Sequence, residues 1–259
     1  MRARVAFDCH LHFYPDYDPE RFFRALSANL GGAAGQASLR LALLTEAPGC
    51  AMFSQWAAPG TELPGGYSFA ATGEPYSLAL LANGEPLAWI VSGRQIVTHE
   101  RLEVLTAGAF PAIEDGMPLA DVLEALTAAG ALAIIPWGAG KWLGSRGRLV
   151  ERIAQSMPMP GLFLADNPAR PAFWPAPRAF RLMERQGRPV LRGSDPLPLP
   201  GEEKRAGAFA GMIEGEFDPA HPLAALKKLL EGNPGLRPMG KRDGVFQFLR
   251  RQVSLRLRS

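Results

Sequence analysis

Short apolar runs that alternate with helical patterns constrain this chain more than any other feature, because that alternation builds strands covered by helices. The runs are Val5 to Phe7, Leu39 to Leu44, Leu102 to Leu105, Leu132 to Ile135, Leu162 to Leu164 and Val190-Leu191. Between the first two, Asp18 reads as an N-cap and Pro19 as a first helical position. Phe22, Phe23, Leu26 and Leu30 then share one face, with Gly31-Gly32 as the stop. Further helices are predicted over roughly 118–129, 147–156 and 176–186. Six strands in this rhythm predict an α/β fold whose parallel sheet closes, or nearly closes, into a barrel.

One stretch breaks the rhythm. After a Pro- and Gly-rich passage at 57–66, the runs Ser77 to Ala82, Leu87 to Val91 and Gln95 to Val97 are separated by Asn83-Gly84 and Ser92-Gly93, which read as turns. A small antiparallel insertion within 67–98 is expected. The whole chain, 1–259, reads as one domain, with 201–259 as a carboxy-terminal extension. Within that extension Phe246, Leu249, Val253 and Leu257 fit a helix, while Val253, Leu255 and Leu257 alternate as in a strand, so periodicity leaves both open.

With 259 residues, 47% of them hydrophobic, the chain can bury one sizeable core. No run approaches the roughly 18 apolar residues of a membrane span, and no apolar leader with a cleavage site precedes the first strand. Cys9 and Cys50 are too few to staple a chain of this length. A cytoplasmic protein is the expectation. The net charge of +3 is uneven, since Lys241, Arg242, Arg250, Arg251, Arg256 and Arg258 against Asp243 give the tail +5 and leave the rest slightly acidic. Without a broad basic stripe, a nucleic-acid partner is not expected, and the tail reads as a solvated face on a docked element, with anionic lipid or an acidic partner as the alternative.

The polar residues fall at telling places. His12, Glu46, Trp137, Asp166 and Asp195 each end a predicted strand, the end at which α/β barrels assemble their sites. His10 and His12 are two apart at a strand end, so both rings project to one side and can share a metal ion. The run Gly138 to Arg148 lacks the Walker spacing, yet its glycines lead into a helix start with Lys141 and Arg146 alongside, an arrangement suited to an anion. Arg170 could clamp a carboxylate or phosphate, or pair with Asp166. Trp137, Trp142 and Trp174 could floor a pocket or simply pack beneath the loops. His99 reads as structural, and His221 as belonging to the start of a helix.

These motifs, taken in order, resemble the PHP superfamily of polymerase-and-histidinol-phosphatase-type metal-dependent phosphoesterases. The resemblance is carried by His10-Leu11-His12, Thr45-Glu46-Ala47, Leu102-Glu103-Val104, Gly130 to Gly138, Leu164 to Asn167 and Gly193-Ser194-Asp195, over roughly residues 5–200. It implies a distorted (β/α)7 barrel and a metal-dependent hydrolase, most plausibly of a phosphate ester on a small anionic substrate. It also implies metal ligation by His10, His12, Glu103 and Asp195. Three family histidines are replaced, by Ala47, Trp137 and Leu197, so one ion, zinc or manganese, is expected in place of two or three. Glu46 or Asp166 is the expected general base, with Lys141, Arg146, Arg170 and Trp137 holding substrate. The alternatives are a PHP-like binding module without catalysis, and an amidohydrolase-type enzyme that cuts a C–N or lactone bond.

Overall fold

The Asp18 carboxylate accepts a hydrogen bond from the Arg21 N–H at 3.0 Å, and Pro19 opens helix α1 (Pro19–Gly31), which ends at Gly32 with φ 67°. Phe22, Phe23, Leu26 and Leu30 are its buried face, as the spacing predicts. The computed structural model describes residues 1–32, 37–109, 111–156, 159–232 and 235–256, so Leu257 and Arg258 of the basic tail lie outside the described residues. Six further helices are described: α2 (Met52–Ala57), α3 (Leu119–Ala128), α4 (Gly144–Gln155), α5 (Arg178–Arg185), α6 (Pro222–Gly232) and α7 (Val245–Arg256). The last of these settles the open periodicity of the tail as helix.

Eleven described strands form one sheet. They are β1 (Arg2–Leu11), β2 (Leu39–Glu46), β3 (Tyr67–Ala71), β4 (Ser77–Ala82), β5 (Glu85–Val97), β6 (Glu103–Ala107), β7 (Leu132–Pro136), β8 (Leu162–Asp166), β9 (Val190–Arg192), β10 (Phe209–Glu216) and β11 (Arg237–Gly240). The order along the sheet is β11-β10-β1-β2-β5-β6-β7-β8-β9, with β4 pairing β5 and β3 pairing β4 outside that path. The α/β barrel expected from the sequence is therefore present, nearly closed and carrying an antiparallel insertion.

Its strands are not all parallel, which corrects one expectation. β1 with β2, β2 with β5, β7 with β8 and β8 with β9 are parallel, but β6 runs antiparallel to both of its neighbours. Apolar runs buried on both faces carry no sign of direction, so the reversal was invisible in the pattern. Ser92-Gly93 is not a turn either, because β5 runs straight through it. A Cβ on Gly93 would sit 2.5 Å from the Thr106 carbonyl oxygen and 2.9 Å from that of Leu44. Glycine is required there because neighbouring backbones crowd the strand on both sides.

One face of the strands, including Phe7, Leu41, Val91, Ile134, Phe163 and Ile213, forms a single buried cluster completed by Leu223 and Leu226 of α6. The other face packs α1 and α2 against β1 and β2, and α3 to α5 against β6 to β8. The seam lies where the segment after β9 returns to β1. There Ser194 N–H donates to Asp8 at 2.9 Å and Asp195 N–H donates to the His10 carbonyl at 2.8 Å.

Candidate metal centre

The seam is also where the polar side chains meet. β1 delivers His10 and His12 at its carboxyl end, with the two Nε2 atoms 2.9 Å apart and the rings edge to face at 71°. Asp195 brings Oδ1 to within 3.5 Å of His10 Nε2 and 3.7 Å of His12 Nε2. The three residues offer one ligand atom each, all within 4.8 Å of one another.

Two atoms bound to one ion at roughly 2.0–2.1 Å in tetrahedral geometry lie about 3.3 Å apart. The three separations here scatter around that figure, so the donor set fits a single borderline divalent ion. Burial, and after it the charge of His10, pushes the His12 imidazole down to about 3, against Asp195, Thr45 and Gln95. His12 is thus neutral over the working range, the state in which a ring nitrogen ligates. Burial raises Asp195, but His10, His12, Arg251 and Lys141 outweigh it and hold the carboxyl below its ordinary value. Imidazole nitrogen and carboxylate oxygen are the donor types a zinc-type ion takes. The buried Nδ1 of His10 has no hydrogen-bond partner among the described residues, where packing alone orients this ring.

A deeper carboxylate builds the seam. Asp8 is fully buried and accepts from the backbone N–H groups of His10 at 3.0 Å, Ser194 at 2.9 Å and Gly207 at 3.1 Å, and from the Ser194 hydroxyl. Burial outweighs these bonds and pushes its carboxyl up to about 6. One side chain thereby ties β1 to the segment after β9 and to the approach to β10.

The cluster opens on a cavity of about 280 Å³ lined by His12 and Asp195 together with Tyr14, Gln95, Glu103, Trp137, Lys141 and Asn167. Asn167 donates to Asp195 Oδ2 at 3.1 Å and to the Trp137 carbonyl at 2.8 Å. Burial, followed by the Asp195 charge, pushes the Tyr14 phenol up, so it stays protonated and able to donate. Tyr14 and Gln95 carried no signal in the sequence, since neither sits in a recognisable spacing.

Several expected roles meet a different geometry. Glu103 is not in the three-residue cluster, because it pairs with Lys141 and receives a longer hydrogen bond from Gln95 at 3.4 Å. Glu46 is spent on α2, accepting from the N–H groups of Met52 and Phe53. Asp166 and Arg170 form a buried bidentate pair at 2.7 and 2.5 Å, the structural bridge that was the alternative for them. Arg146 binds the Gly140 carbonyl at 2.9 Å at the surface. None of Glu46, Arg146, Asp166 and Arg170 lines the cavity, whereas Lys141 and Trp137 do.

Fold and site together define a nearly closed α/β barrel with a cluster of two histidines and an aspartate at its seam. Among solved structures, PsfC from Pseudomonas syringae matches with a TM-score of 0.60 at 15% identity, over 98% of this chain and 99% of that one. The lesion-specific endonuclease PfuEndoQ from Pyrococcus furiosus matches with a TM-score of 0.47 at 12% identity, over 92% of this chain and 58% of that one. Endonuclease Q in complex with a 27-mer duplex bearing an abasic lesion gives 0.48 and 13%, with the same coverage. No family model and no curated protein sequence matches the chain. The likeness to PsfC is one of fold. Among the described residues no helix is long and apolar enough to cross a membrane.

Proposed function

We propose that the chain is a metal-dependent hydrolase of a small phosphate ester, working with one ion held by His10, His12 and Asp195. The observation that carries this reading is the convergence of three ligand atoms, 2.9, 3.5 and 3.7 Å apart, at the inner wall of a cavity. A bound zinc or manganese ion supplies Lewis acidity, polarising a phosphoryl oxygen and lowering the pKa of water to about 7.

The remaining work belongs to the cavity's own side chains. The Lys141 ammonium and the Tyr14 hydroxyl face the space that an anionic ester occupies and hold its oxygens. Glu103, on the cavity wall, is better placed than Glu46 or Asp166 to accept a proton, since both of those are committed to structural bonds. Its carboxylate pairs with the Lys141 ammonium across the same cavity wall. Trp137 is buried and closes one side, and Asn167 fixes the far oxygen of Asp195. The small volume favours a monoester over a folded nucleic-acid strand.

A second reading has one observation in its favour. Both carboxylates that the sequence offered as general base are engaged elsewhere, as a relative that keeps the fold and binds without turnover would show. The two separate in an assay of zinc- or manganese-loaded protein on a panel of small phosphate monoesters. Turnover abolished by chelator, and reduced at least about 100-fold by Asp195→Asn, is expected, since a direct ligand counts for more than the outer partners that give roughly 10–100-fold. Saturable binding of the same esters with no hydrolysis would select the binding module instead.

A further inference from the structure

Asp195 has φ 46°, a left-handed conformation for a residue with a side chain, and Pro196 follows it. That backbone is strained and persists only where surrounding contacts dictate it. The proline adds to the restriction by favouring extended geometry in the residue before it. Three contacts hold the residue: its N–H on the His10 carbonyl at 2.8 Å, its Oδ2 on Asn167 at 3.1 Å, and its carbonyl on Arg251 Nη2 at 2.8 Å.

The third comes from far away in the chain. Arg251 sits on α7 and is only 5% exposed, although the sequence placed it in a solvated basic tail. Its guanidinium is itself fixed, with Nη1 on Asp243 Oδ2 at 2.9 Å and Nη2 on Glu202 Oε2 at 2.9 Å. Asp243 is anchored in turn, its N–H on the Pro168 carbonyl at 2.9 Å and its own carbonyl accepting from Ala172 at 3.1 Å. The planar fork of an arginine can serve two carboxylates and a carbonyl at once, which a lysine ammonium cannot do at fixed angles.

We propose that Arg251 is a positioning residue for the metal centre: it holds the Asp195 backbone in the left-handed conformation that aims Oδ1 at His10 and His12. This rests on the metal reading given above. The carboxy-terminal helix is then a working part of the site, and its integrity sets how tightly the ion is held.

The buried ion network supplies its own control. Arg205 pairs with Asp243 at 2.5 Å and with Glu202 at 3.8 Å, and among the described residues it forms no hydrogen bond or ion pair with Asp195. A purely structural role predicts that losing either arginine acts alike. The experiment is Zn2+ affinity, measured by competition with a chromophoric chelator on full-length wild type, Arg251→Met, Arg251→Lys and Arg205→Met, with a thermal melt of each. The expected result is a 10- to 100-fold weaker affinity in both Arg251 variants, the range found for partners that orient metal ligands. Arg205→Met should lower the melting temperature and leave affinity within about twofold. Arg251→Lys keeps the buried charge, and so carries the test should the methionine variant fail to fold. Equal affinity in wild type and Arg251→Lys, or equal loss in Arg205→Met, overturns the proposal alone. A wild type that binds no Zn2+ overturns the metal reading and this proposal with it.

Discussion

Gly193→Ala is expected to destabilise the protein beyond the roughly 1–3 kcal/mol of ordinary overpacking. A Cβ at this position would lie 2.2 Å from the His10 Cβ, 2.6 Å from its N and 2.8 Å from its Cα. Those atoms are backbone and first side-chain carbon of a central strand, and none can swing aside as the tip of a long side chain would. Relief requires the segment after β9 to withdraw from β1, which opens the seam and separates Asp195 from the imidazoles. Urea unfolding followed by circular dichroism measures the loss. A variant within about 0.5 kcal/mol of wild type would show that the two segments do not meet as described.

Asp8→Ala should cost at least about 3 kcal/mol, because it removes the acceptor of the buried His10 and Ser194 N–H groups and leaves the Gly207 N–H only its longer bond to the Ser194 hydroxyl at 3.3 Å. The His10 and Ser194 N–H groups share Oδ1, while the Gly207 N–H and the Ser194 hydroxyl share Oδ2. Asp8→Asn retains one acceptor oxygen and turns an N–H donor toward the Gly207 N–H, so its cost should fall between wild type and alanine. Denaturant midpoints at fixed pH give the order directly. Finding the alanine variant as stable as the asparagine one would remove Asp8 from its place as the tie across the seam.

Much of the site was legible because its signals are local. His10 and His12 share a strand end, and the Gly193-Ser194-Asp195 run supplies both the close approach and the carboxylate. The caps of α1 were equally plain, since Asp18-Pro19 and Gly31-Gly32 act within a single turn of chain. What stayed hidden depends on partners distant in sequence. Glu103 pairs with a lysine 38 residues away, and Arg251 reaches an aspartate carbonyl 56 residues away, neither of which any periodicity encodes. Strand direction was hidden for another reason, that β6 is short and its inner positions are buried whichever way it runs. β10 was also passed over, although it pairs with β1 along Arg2 to Phe7. Met212-Ile213 is a short apolar pair between Gly211 and Glu214-Gly215, too brief to stand out.

The central claim is that His10, His12 and Asp195 hold one metal ion between them. Metal content measured by mass spectrometry on protein purified without added metal or chelator, then re-measured after Zn2+ exposure and desalting, tests it most directly. Wild type should retain one equivalent, and His10→Ala and Asp195→Ala, confirmed folded by circular dichroism, should retain almost none. A folded wild type that keeps no ion even after exposure, or variants that keep as much as wild type, would contradict the account.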